Sequence, residues 1–158
     1  MYRLELNYIS RDGGKKGRKR DAAKQGHGFS ATAAAAYRSG SIVTDCRTGE
    51  LHDYRRKHRV GHTEIVLPPG APSWASYREA LWNAVEAAEV RKDARLAHEL
   101  IVALPHGLVK EQEIEMVRDL AQSVAYRHGL PVDYAIHGDD AKTWDGSAKG
   151  VVGCHAHL

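Results

Sequence analysis

The chain has 158 residues, of which about 42% are apolar, enough to bury one ordinary core but not two, so a single domain is expected. Its 23 Lys and Arg against 20 Asp and Glu leave a net charge of only +3, so the distribution of the basic residues matters more than their total. Two cysteines, Cys46 and Cys154, exclude a disulfide framework and lack the spacing of a zinc knuckle, and the longest apolar runs (33–36 and 100–104) are far too short to span a membrane; both readings fit a soluble protein of a reducing cytoplasm.

Tyr2, Leu4, Leu6 and Tyr8 alternate with Arg3, Glu5 and Asn7, the period of a half-buried strand whose inner face would carry the tyrosines and leucines. Residues 10–28 are rich in Gly, Lys and Arg without periodicity and are expected to form a basic, flexible surface loop. Ser30 suits the N-cap of a short alanine-rich helix that carries Tyr37 and Arg38 near its end and is closed by Gly40. Ile42 to Thr44 and Leu51 to Tyr54 read as a hairpin around Thr48 and Gly49, followed by a strand from Thr63 to Leu67 that Pro68 and Pro69 terminate.

Ser73 is then expected to cap a helix whose stripe of Trp74, Tyr77, Leu81, Trp82, Val85 and Ala88 is buried on a sheet. Leu96, Leu100, Val102 and Leu104 make the next strand. Ile114, Val117, Leu120, Ala121 and Val124 mark a second long helix stopped by Gly129. Two last strands, Val132 to His137 and Val151 to Leu158, are joined by a polar loop containing Trp144. The sum is α+β: a single-layer, largely antiparallel sheet of about five strands with helices packed on one face.

The chemistry concentrates at the end of the chain. His155 and His157 are two apart on a strand and share one face, a spacing able to chelate one ion. Ten histidines in this length give roughly 0.6 such pairs by chance, so a third ligand is required. His137 supplies it, because it ends the preceding strand on the face of Asp133 and Ala135, opposite Val132, Tyr134 and Ile136. Three neutral imidazoles suit a borderline transition metal and leave coordination positions open for a phosphate oxygen and water.

Two basic groups, Arg11 to Arg20 and Arg55 to Arg59, have the composition that attracts a polyanion by displacing counterions, although a solvated surface has the same composition. Trp144, in a polar loop beside the metal face, is the candidate for stacking on a base, whereas Trp74 and Trp82 read as core.

With these residues in view, the sequence resembles the MobA/MobL plasmid mobilisation relaxases, members of the HUH endonucleases, whose namesake element is His155-Ala156-His157 here. The resemblance runs over most of the chain: Ser30 through Tyr37 to Gly40, His52-Asp53-Tyr54, Thr63 to Pro68, Glu99 to Pro105 and Ala135-Ile136-His137. It implies that residues 1–158 are a nicking domain cut short at its C-terminal end, with Tyr37 as nucleophile, Glu99 assisting, and His137, His155 and His157 holding a divalent metal, Mn2+ or Mg2+ first, with Zn2+, Co2+ or Ni2+ as alternatives.

The implied substrate is single-stranded or locally melted plasmid DNA in a bacterial cytoplasm, with relaxosome accessory and coupling proteins as partners and no membrane insertion. Candidate DNA contacts are Lys15, Lys16, Arg18, Lys19, Arg20, Arg38, Arg55, Arg56, Lys57 and Trp144. The segment before Tyr37 is longer and more basic than is usual in such proteins. The same chemistry also fits a rolling-circle replication initiator or an HUH transposase, but the tyrosine helix near the N-terminus favours the relaxase. Readings of other classes are a non-catalytic single-strand-binding module and a zinc hydrolase of small molecules, the latter leaving Tyr37 and the basic groups without a role.

Overall fold

The computed structural model describes residues 4–11, 30–91, 93–138 and 154–158. In chain order the elements are β1 (Leu4–Ser10), α1 (Ala31–Ser39), β2 (Ile42–Thr44), β3 (Leu51–Asp53), β4 (Val60–Val66), a 3-10 turn (Ser73–Ser76), α2 (Arg78–Ala88), β5 (Arg95–Ala103), α3 (Lys110–His128), β6 (Val132–His137) and β7 (His155–His157). Five strands form one sheet in the order β1-β5-β7-β6-β4, every neighbouring pair antiparallel, and β2 pairs with β3 as a separate hairpin. The expected class and strand number are therefore those observed. Among the described residues no helix is long and apolar enough to cross a membrane.

The period-two pattern of β6 divides the molecule. Val132, Tyr134 and Ile136 face α3 and join Ala156, Leu104, Val66, Val117, Ala121 and Ala125 in one apolar cluster. Full burial of side chains such as Ile136 and Val117 stabilises by roughly 1.5–3 kcal/mol each, which makes this layer the main source of cohesion. On the other face Asp133 accepts two hydrogen bonds from Arg78 and one from Trp82, all at 2.8 Å, and so ties α2 to the sheet by charge rather than by apolar area. The helices thus divide between the two faces, α3 on one and α1 with α2 on the other, instead of sharing one face as the pattern suggested.

Two further expectations change. Leu4, Leu6 and Tyr8 lie on the α3 face, but β1 is an edge strand and α3 contacts β4 and β6, so these side chains are exposed instead of forming an inner face. Alternation reports which side chains share a face, not what covers it. The helix expected from Ser73 begins as a 3-10 turn with Pro72 at its N-cap and becomes α-helical only at Arg78, which leaves Trp74 and Tyr77 exposed; Trp74 is therefore not core, whereas Trp82 packs against Ala31, Ala94 and Leu96.

Helix α1 is fixed at both ends. Ser30 Oγ accepts from the Ala33 N–H at 3.0 Å, as its sequence position implied, and Glu86 Oε1 accepts from the Ala31 N–H at 2.6 Å. The same buried carboxylate meets Arg11 at 2.7 Å, so an anion from α2 sits against the positive end of α1. At the other end Gly40 adopts φ 60°, and a Cβ there would stand 3.0 Å from Val60 Cγ2; the turn needs both the left-handed backbone and the missing side chain. The loop 10–28 expectation beyond Arg11, with Lys15, Lys16, Arg18, Lys19 and Arg20, and the expectations for Tyr2, for Trp144 and for the start of the last strand at Val151 lie outside the described residues.

Candidate metal centre

The register of β6 against β7 places His137 opposite His155 and Ala135 opposite His157, while β5 sets Ile101 opposite His157 and Ala103 opposite His155. Because β7 alternates, Ala156 enters the apolar layer and its two flanking imidazoles project to the α1 side. The three rings His137, His155 and His157 converge with centroids 4.9 to 5.4 Å apart, and one ligand nitrogen from each lies within 4.8 Å of the others.

The surrounding groups orient these rings. Glu99, on β5, accepts from His157 Nδ1 at 2.9 Å, which leaves the Nε2 lone pair of that ring for a metal. Burial alone would raise the Glu99 carboxyl, but hydrogen bonds from His157 and Arg38 and the Arg38 charge more than offset it and hold the group at about 2. Arg38 Nε reaches the same oxygen at 2.5 Å. The backbone carbonyl of Arg38 accepts from His137 Nε2 at 2.6 Å, so Nδ1 of that ring keeps its lone pair. Burial, then the charges of Lys57, His157 and His155, push His137 down to about 4 despite that hydrogen bond. His137 is therefore neutral at neutral pH, the form in which an imidazole binds a metal.

These residues fit a divalent metal ion. They offer three converging imidazoles, one oriented by an ionised carboxylate and one held by a helix carbonyl, and no fourth protein ligand among the described residues closes the set. Closing on an ion with bonds of about 2.1 Å calls for small side-chain adjustments from the 4.8 Å spread.

Tyr37 sits in the last turn of α1, one residue before Arg38, with 44% of its surface exposed. Tyr54 meets its ring edge-on at a centroid distance of 5.3 Å, and Lys57 Nζ stands 3.7 Å from its ring centroid. The structure thus gathers Tyr37, Arg38, Lys57, Glu99 and the three histidines around one helix end. Arg55 and Arg56 are exposed outside that group, with Arg55 bound to Asp53 at 2.6 Å. Two features were missed in the sequence: Arg38 links Glu99 to His137, and the turn Tyr54 to Lys57 flanks the phenol. Their only sequence signal is proximity, since Arg38 follows Tyr37 and the turn follows the β2–β3 hairpin.

Residues 29–158 match the MobA/MobL family. The chain is 39% identical over 137 residues to the mobilization protein MobL of Acidithiobacillus ferridurans, covering 87% of this chain and 32% of that protein. It is 37% identical over 123 residues to the conjugal transfer protein TraA of Agrobacterium fabrum, covering 72% of this chain and 11% of that protein. A solved chain from work on the molecular basis of vancomycin resistance transfer in Staphylococcus aureus superposes with a TM-score of 0.78 at 30% identity, covering 99% of this chain and 68% of that one. The chain thus spans a third or less of the length of these two curated relatives.

Proposed function

Because the chain belongs to the MobA/MobL family, we propose that it is the DNA-nicking domain of a mobilisation relaxase, acting on one strand of single-stranded or locally melted plasmid DNA. The observation that carries this reading is the convergence of three imidazoles beside the helix end that holds Tyr37, joined to it through the His137 to Arg38 hydrogen bond. In the proposed step Tyr37 Oη forms a bond to phosphorus and the P–O3′ bond breaks. The phenolic proton passes to solvent base, and the departing 3′ oxygen takes up a proton.

The products are a 5′-phosphotyrosine and a free 3′ hydroxyl, and the energy of the phosphodiester is kept in the new ester, so the strand can be resealed without ATP. A divalent cation, Mn2+ or Mg2+, held by His137, His155 and His157 would polarise the non-bridging oxygens and offset the charge that repels the nucleophile. Glu99 keeps the His157 ring in its ligating orientation and holds Arg38 beside it. Lys15, Lys16, Arg18, Lys19, Arg20, Arg38, Arg55, Arg56, Lys57 and Trp144 remain the proposed contacts to DNA, and relaxosome accessory and coupling proteins the proposed partners in a bacterial cytoplasm.

The test is incubation with a library of plasmid transfer-origin oligonucleotides, with metal stripped and restored, and separation of covalent adducts on a denaturing gel. Adducts that need metal and vanish in Tyr37→Phe, with fold and metal binding unchanged, are the expected result. Binding without cleavage would favour a single-strand-binding module, and adducts persisting in Tyr37→Phe would point to another nucleophile, Tyr54 first.

A further inference from the structure

The last carbonyls of an α-helix lack intrahelical partners and must find others. At the end of α1 the carbonyl of Ala36 accepts from the N–H of Ser41 at 3.1 Å and that of Arg38 from His137 Nε2 at 2.6 Å. The carbonyl of Tyr37, between them, accepts from Lys57 Nζ at 2.8 Å. This hydrogen bond fixes where the ammonium goes: it stands 3.7 Å from the Tyr37 ring centroid while the Tyr54 ring closes the phenol edge-on. One short turn supplies both groups, since the Lys57 N–H donates to the Tyr54 carbonyl at 2.9 Å.

We propose that Lys57 is a positioning residue for the nucleophile: its ammonium, anchored on the Tyr37 carbonyl, pins the Tyr37 ring in one orientation. The inference rests on the reading of Tyr37 as nucleophile. An ammonium over an aromatic ring is attracted by the negative face of the ring, so it holds the ring where the ammonium itself is anchored. Lys57 is half-buried and takes part in no ion pair among the described residues, and burial together with the Arg38 charge pushes it down to about 8.

Among the described residues the groups that face the Lys57–Tyr37 pair are few. They are Arg38, whose charge is shared with Glu99; His137, which is neutral at neutral pH; and Tyr54, raised first by burial and then by Glu50. Arg55, next to the turn, is already neutralised by Asp53.

The readout is the near-ultraviolet circular dichroism of the metal-free protein at neutral pH, each protein minus its own Tyr37→Phe counterpart, which isolates the Tyr37 ring without DNA. Lys57→Met is expected to lose most of that Tyr37 signal, because a ring no longer held by the ammonium averages over several orientations. Lys57→Arg should restore most of the signal, and Arg59→Met, which removes a charge of the same basic run, should leave it unchanged.

With DNA, adduct formation in Lys57→Met should then slow about tenfold at neutral pH, with half-saturating oligonucleotide concentration little changed. An unchanged Tyr37 signal in a folded Lys57→Met protein overturns the proposal. So does an effect confined to oligonucleotide affinity, which would make Lys57 a phosphate contact. Failure of the nucleophile reading itself would show separately, as adducts surviving Tyr37→Phe.

Discussion

The two faces of the central sheet are held by different physics. The α3 face is apolar: Tyr134 and Ile136 are fully buried there with Val117, Ala121, Ala125 and Ala156. The α1 face carries charge and rings: Asp133 is clamped by Arg78 and Trp82, Glu99 by Arg38 and His157, and the three histidines converge beside them. Burial on one side is indifferent to direction and supplies cohesion. Hydrogen bonds to ionised groups on the other supply orientation, which a metal-binding site needs more than bulk stability. Successive residues of one strand, such as Ile136 and His137, therefore serve separable purposes.

Ile136→Ala should have the largest effect on stability and little effect at the histidines. The cavity left on the α3 face should cost about 2–5 kcal/mol in urea unfolding. Metal binding by the folded fraction, followed by calorimetry, should be close to that of the unmodified protein. A folded Ile136→Ala protein that no longer binds metal would show that the faces are coupled after all.

Glu99→Gln probes the other face with the opposite signature. The Glu99 carboxyl is held at about 2 against an ordinary 4.5, so it contributes stability that is fully present above about pH 4.5 and is lost as pH falls through 2. That contribution is on the order of 3 kcal/mol. The unmodified protein should therefore lose this increment on acidification and Glu99→Gln should lack it, so that the two stabilities converge at low pH. At neutral pH Glu99→Gln should bind metal more weakly, about tenfold or more, because His157 loses the anion that orients it. Parallel stability curves down to pH 2 would remove the carboxylate from this account.

The sequence made some of this legible and hid the rest for a physical reason. Alternation along β6 and β7 is enough by itself to separate Ile136 and Ala156 from the three histidines, and Ser30 and Gly40 mark both ends of the tyrosine helix. Period and capping are local properties. What covers a face is not: Leu4, Leu6 and Tyr8 alternate like a buried stripe yet are exposed because α3 packs elsewhere, and the helices divide between faces that no periodicity distinguishes. The same limit holds within the site, where Lys57 reads as one of a basic run and only its contact with the Tyr37 carbonyl sets it apart from Arg55 and Arg56.

That basic run gives the smallest effect and a further sharpening, since it tests whether charge outside the two faces contributes anything to folding. Arg55 is exposed and its partner Asp53 is exposed too, so their ion pair at 2.6 Å exchanges one hydrated arrangement for another. The Asp53 carboxyl is nevertheless lowered to about 2, by hydrogen bonds from the Arg55 side chain and backbone before any burial effect. Solvent screening lets such a shift coexist with a negligible effect on stability. Arg55→Ala should therefore leave the urea midpoint unchanged within error. If Arg55 neutralises a phosphate, the slope of log affinity against log salt for a single-stranded oligonucleotide should become shallower by about 0.7, the counterion release of one contact. An unchanged slope would remove Arg55 from the DNA path, whereas a shifted urea midpoint would mean that the turn after β3, and with it the placement of Lys57, depends on this exposed pair.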